Sequence, residues 1–147
     1  MSLGVHFALT AGQEERLLAA TDLADLIEEI EEAWSSICET DKAWDAIDRC
    51  LRGAGYPLSH AVLGGRHLQD DGEHIVSYVT AAEVKDVARE LASVDEPWLR
   101  ARYSEIDAAD YEQHGDDDFT YTWNNFARLR AFYTEAAAAG RAVIFTT

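Results

Sequence analysis

The chain is poor in the residues that build special chemistry: two cysteines, two prolines, one methionine and two lysines among 147 residues. With nine glycines besides, it has neither a fibrous nor a low-complexity composition. Cys38 and Cys50 are too few for a disulfide framework. Their sparsity fits a reducing cytoplasm in which both stay buried as thiols. Metal-ligand spacings such as Cys-x-x-Cys or His-Glu-x-x-His are missing, and His6, His60, His67, His74 and His114 are scattered, so neither a metal nor a cofactor is expected. The first twenty residues carry Gln13, Glu14, Glu15 and Arg16 where a secretory signal needs a basic start and an apolar run. No stretch approaches the length of apolar sequence that a membrane span requires.

What the chain has is acid. It holds 28 Asp and Glu against 12 Lys and Arg, a formal net charge of -16. Nucleic acid is excluded as a partner, because its phosphates are bound by basic stripes that release counterions. An anionic membrane surface is excluded on the same ground. Such acidity keeps a protein soluble, or steers it toward a basic protein. The hydrophobic share of 48% is ample for the core of one domain spanning residues 1–147.

Gly4 to Leu9 reads as a strand, and Thr10 with Gln13 forms a capping box that opens a short helix. Leu23, Leu26, Ile27, Ile30, Ala33, Trp34 and Ile37 recur at three- and four-residue steps, predicting an amphipathic helix. Its opposite face carries Asp25, Glu28, Glu29, Glu31 and Glu32, and the four glutamates form a candidate face for a basic partner. After a break near Glu39 and Thr40, Asp41 is placed to cap a third helix. Ala43, Trp44, Ile47, Cys50 and Leu51 supply its stripe, and Gly53 and Gly55 end it. Lys42 lies among Asp41, Asp45 and Asp48, with Asp45 at pairing distance along a helix.

Tyr56 to Gly65 is a loop segment in which Pro57 restricts Tyr56 and Gly64-Gly65 permits a positive-φ turn. Ser59 followed by His60 has the residue types of a nucleophile and its base, but adjacent side chains rarely pair and no Gly-x-Ser-x-Gly elbow is present; a helix cap at Ser59 is the simpler reading. Gly64, Gly65 and Arg66 form a candidate anion cradle on backbone amides, with a plain turn as the simpler account. Asp70-Asp71-Gly72 is a turn, followed by a strand from Glu73 to Val79. Thr80 and Glu83 form a second capping box, and Val84, Val87, Ala88, Leu91 and Val94 line the helix it opens. Asp95-Glu96-Pro97 starts another helix packed through Trp98, Leu99 and Tyr103, and one more turn is placed at Asp107 to Tyr111. Asp116-Asp117-Asp118 introduces a long helix from about Phe119 to Ala139 with a core-facing aromatic side, ended by Gly140. Arg141 to Thr147 is a continuously apolar strand suited to the sheet interior. The expected fold is α+β or α/β: one compact domain in which a short mixed sheet of about three or more strands packs against several helices, with a parallel pairing allowed by the long helical connections.

Asp41, Lys42 and Trp44, followed at this separation by Pro57-Leu58-Ser59 and Ala61-Val62-Leu63-Gly64, resemble the YfbM-like bacterial proteins, the family catalogued as domain of unknown function 1877. The resemblance runs from Gly4 through nearly the whole chain and implies a cytoplasmic bacterial protein of mixed α and β structure, with no catalytic residue assigned. Relative to that pattern Ser2 and Leu3 are extra and read as a vector-derived scar. The leading expectation is a noncatalytic acidic interaction protein, an inhibitor or immunity-type partner of a basic protein. Its rival is a small enzyme or ligand-binding domain whose pocket lies where the Lys42 and Trp44 helix meets the Ser59 to Arg66 loop, drawing on Asp41, Lys42, Trp44, Ser59, His60, Gly64, Gly65 and Arg66.

Overall fold

The structure, a computed structural model, describes residues 3–21, 23–33, 36–72, 74–107, 109, 111 and 115–147, the side chains of residues 31–33 excepted. Ser2, Trp34, Glu73 and His114 lie outside the described residues, as do the side chains of Glu31, Glu32 and Ala33. The chain runs β1 (Gly4–Leu9), α1 (Ala11–Ala19), α2 (Leu23–Ala33), β2 (Ile37–Asp41), α3 (Trp44–Arg52), a single 3-10 turn (Leu58–His60), β3 (Arg66–Asp70), β4 (Ile75–Val79), α4 (Ala81–Leu91), α5 (Glu96–Ser104), α6 (Asp116–Ala138) and β5 (Ala142–Thr146).

The strands form one sheet in the order β2-β1-β5-β4-β3. Among the described residues all four pairings are antiparallel, so the fold is α+β and the parallel pairing allowed by the connection lengths does not occur there. Alternation along the strands sends side chains to two cores. Phe7, Leu9, Tyr78, Ala142 and Ile144 meet Leu17 of α1 and Leu26 and Ile30 of α2 on one face. Ala8, Cys38, Val79, Val143 and Phe145 meet α3, α4, α5 and α6 on the other. Every residue of β5 is buried, as its unbroken apolar run requires of a strand covered on both faces.

Both capping boxes form. The Thr10 hydroxyl accepts from Gln13 N–H at 3.2 Å and the Thr80 hydroxyl from Glu83 N–H at 3.2 Å, with each partner side chain reaching back to the cap N–H. Asp95 caps α5 by accepting from Trp98 N–H at 2.9 Å. The aspartate triplet occupies the first turn of α6 and does not precede it, since Gly115 is the cap residue. Gly140, at φ +68, turns the chain from α6 into β5.

The stretch between α2 and α3 departs from the helical pattern. Ile37, placed by its spacing on the amphipathic helix, opens β2, where Ile37, Cys38 and Glu39 stand opposite Phe7, His6 and Val5. Pairing with β1 overrides the local periodicity and buries Cys38 and Thr40 on one side of the strand. Asp41 is therefore not a helix cap. It ends β2 in the left-handed region at φ 49, which aspartate tolerates better than most residues, and Ala43 precedes α3 without a side-chain cap bond. Tyr121 of α6 holds this turn: its hydroxyl donates to Asp41 Oδ2 at 2.7 Å and accepts from Lys42 N–H at 3.2 Å. Arg66, placed at the end of a loop, and Asp70, placed in a turn, are the two ends of strand β3, whose largely polar side chains mark it as an edge.

Thr80→Ala removes the acceptor for Glu83 N–H and frees the Glu83 side chain, and is expected to cost about 1 kcal/mol of stability. Urea unfolding read by far-UV circular dichroism checks this, and an unchanged midpoint would contradict it.

Candidate functional site

The segment that carries the family resemblance is anchored from three sides. After Gly55, at φ +79, the chain passes a cis Tyr56-Pro57 bond into the 3-10 turn and reaches Ala61 and Val62, both buried. The Ala61 carbonyl accepts two hydrogen bonds, from His6 Nε2–H of β1 and from the Tyr133 hydroxyl of α6, each at 2.8 Å. Leu63 N–H donates to Asp48 Oδ1 of α3 at 3.3 Å. Asp48 is only 2% exposed, and its other oxygen receives the Arg52 guanidinium.

Gly64 and Gly65 are required by close approach and not by the positive φ that their sequence permits; the positive-φ glycines are Gly55, Gly72, Gly115 and Gly140. A Cβ on Gly64 would fall 1.8 Å from the Ser59 carbonyl oxygen, and one on Gly65 would fall 2.6 Å from that of Tyr78. Arg66 continues from them into β3, exposed and opposite Tyr78, so the three residues form the entry to a strand.

His60 packs edge-on against Tyr56 and shares a 2.7 Å hydrogen bond with Glu83 through Nδ1. Ser59, inside the 3-10 turn, is neither a cap nor a partner of His60; among the described residues its hydroxyl makes no hydrogen bond, so the two do not form a nucleophile and base pair. Desolvation opposes ionisation of Glu83, but hydrogen bonds from Thr80 and His60 outweigh it and hold the carboxyl below its usual range. The Tyr56 hydroxyl donates to Asp86 at 2.7 Å, and that bond pushes the phenol up to about 12.

The eight residues of the expected pocket thus do not share one set of contacts. Asp41 and Lys42 meet Tyr121, and Asp41 lines a cavity of about 310 Å³ with Glu39 and Arg128. Asp45 pairs with Arg49 at 2.9 Å, not with Lys42. Trp44 packs on Phe145 with ring centroids 5.5 Å apart and covers Gly4. Helix α3 and the loop do meet, but through Asp48 and Leu63. Of the acidic face, Glu28 and Glu29 are exposed, and Glu29 is bound by Arg16 of α1 through contacts of 3.0 and 2.6 Å. That hydrogen bond holds the Glu29 carboxyl below its usual range.

The sequence assigns His6, Asp48 and Tyr133 no part in holding this segment. All three sit in helix or strand patterns where nothing local distinguishes them, and their bonds span 55, 15 and 72 residues. His6 is fully buried against Phe132, Tyr133 and Phe145. A carbonyl can only accept, so Nε2 carries the proton, and Nδ1 has no partner among the described residues. Burial lowers the His6 pKa from 6.5 to about 4, against the small opposing pull of the Ala61 carbonyl. Burial also raises the Cys38 thiol to about 11 and the Cys50 thiol to about 12, which leaves both unreactive near neutral pH. Among the described residues no group of three or more His, Cys, Asp or Glu could hold a metal ion, and no helix is long and apolar enough to cross a membrane.

Two predictions follow the anchor. Gly64→Ala is expected to destabilise by at least the roughly 1–3 kcal/mol of core overpacking, because the clash is with backbone. Gly12→Ala, in α1 with nothing within 4 Å of the added methyl, is expected to stabilise by about 0.5–1 kcal/mol. Equal unfolding midpoints for these two variants would refute the steric account. For His6, the unfolded chain takes up its proton near pH 6.5 and the folded chain only near 4, so the unfolded state binds more protons in between and stability falls as pH drops through that window. The loss amounts to about 3 kcal/mol by pH 4. Denaturant titrations from pH 7 to 4 should show this component in the parent and not in His6→Gln; parallel pH profiles would exclude it.

A family model described as domain of unknown function (DUF1877) matches residues 1–146. Among solved structures, that of a protein of unknown function, YfbM from Escherichia coli, is similar with a TM-score of 0.74 at 20% identity, covering 99% of each chain. At that identity the likeness shows a shared fold. A comparison with curated proteins finds no match. The family match across the chain and the shared YfbM fold agree with the motif around Ala61, and the chain belongs to the DUF1877 family.

Proposed function

We propose that the protein is a noncatalytic interaction domain that binds a basic protein through its acidic surface, as an inhibitor or immunity-type partner in the cytoplasm. The supporting observation is the net charge of -16, displayed in part by Asp25 and Glu28 on the exposed side of α2. Clustered charge of one sign accelerates encounter with an oppositely charged partner and selects against acidic ones. The engagement of His60 by Glu83, and the Ser59 hydroxyl unpaired among the described residues, weigh against the rival reading of a small enzyme with a pocket between α3 and the loop. Buried, unpaired Cys38 and Cys50 are in keeping with a reducing compartment.

The test is capture from native cell extract at stepped salt, followed by titration calorimetry with the purified partner. Asp25→Asn with Glu28→Gln is the informative variant, because Glu29 is already engaged by Arg16 of α1. Adding Glu31→Gln and Glu32→Gln extends the neutralisation to the glutamates that follow in sequence. The expected result is a basic partner whose affinity falls about tenfold in the variant, with a weaker salt dependence. Recovery of no salt-sensitive partner, or unchanged affinity across the variants, would overturn the proposal.

A further inference from the structure

A cleft of about 320 Å³ opens where α3 and α5 end side by side, lined by Arg49, Arg52 and Arg102 and by Glu105 and Asp107. In so acidic a chain the gathering of three arginines calls for a cause, and helix ends supply part of it. Arg49 and Arg52 lie in the last turn of α3 and Arg102 in the last turn of α5, where cations offset the negative end of the helix dipole. Arg49 and Arg52 are further tied to Asp45 and Asp48 within α3.

Arg102 is different. Its guanidinium lies over the Trp98 ring at 5.0 Å, and among the described residues it has no carboxylate partner, although the chain holds 28 acidic residues. A guanidinium held over a ring has N–H groups left to offer a planar carboxylate. Across the chemistry of the same cleft, Glu105 is exposed and also without an ion pair among the described residues, while Asp107 Oδ1 is occupied by Ala109 N–H at 2.9 Å. Two carboxylates and two helix C-termini beside three guanidiniums make the cleft dipolar and not simply positive. A plain anion would meet the carboxylates and helix ends unfavourably; a molecule with both charges can satisfy both sides. The volume, at the small end of ligand pockets, limits its size.

We infer that this cleft binds a small zwitterion of the amino-acid class, its carboxylate on the N–H edge of Arg102 and its ammonium toward Glu105. The site is separate from the acidic side of α2, so its failure would leave the proposed function untouched.

The test is a nitrogen-15 NMR titration of the full chain with L-glutamate, glutarate and inorganic phosphate, following the amides of residues 50–53 and 102–107 and the Arg102 side-chain Nε–H. L-glutamate should shift these signals saturably and bind about tenfold tighter than glutarate, which lacks the ammonium. Arg102→Gln should weaken L-glutamate about tenfold, and Glu105→Gln should weaken it while leaving glutarate as tight or tighter. Glu105 is exposed, so that variant reads the site without endangering the fold. No saturable shift with L-glutamate, equal binding of glutarate or phosphate, or indifference to both substitutions would overturn the inference.

Discussion

A single carbonyl oxygen, that of Ala61, is bound at once from the sheet and from the long helix and pins the loop between them. His6 reaches it from the second strand of the sheet and Tyr133 from the long helix, while Asp48 takes the neighbouring Leu63 N–H from a third direction. A buried hydrogen bond adds only about 0.5–1.5 kcal/mol net, yet leaving one of these donors or acceptors unmet costs about 1–3 kcal/mol. The loop is therefore held less by attraction than by the penalty for moving away from it. With the Ala61 carbonyl and Leu63 N–H satisfied internally and Gly64 pressed on the Ser59 carbonyl, this segment acts as a strut between sheet and helices.

The parts of the fold legible in sequence were those whose physics is local. The Thr10 and Thr80 capping boxes, the stripe from Val84 to Leu91 and the apolar run of β5 all announce themselves within a few residues. The two missed strands are the two edges. Ile37 continues a helical spacing by coincidence, and Arg66 to Asp70 is too polar to read as strand; both are specified by a neighbour from elsewhere in the chain. The candidate site was legible as a location and not as a set of roles. His60 and Ser59 suggest chemistry by residue type, whereas the bonds that decide their roles come from Glu83 and from the turn itself.

Charge divides along the same line between local and distant. Arg16, Arg49 and Arg52 are each drawn to a carboxylate by helix packing or helix spacing. Arg102 is held by an aromatic ring instead, and the cleft beside it exists only because α5 returns to the end of α3. No spacing rule in the sequence joins residues 49–53 to residues 102–107.

The strand order carries a consequence for how the chain is made. β2 and β1 form one half of the sheet and β4 and β3 the other, and β5 alone connects them. During synthesis every helix and four strands emerge before the element that lets the halves meet. Until then each half exposes the edge that β5 will cover, on β1 and on β4, with backbone groups unpaired and open to wrong neighbours. Closure of the sheet therefore waits for β5, and the arrival of that one strand decides whether β1 and β4 find a native partner.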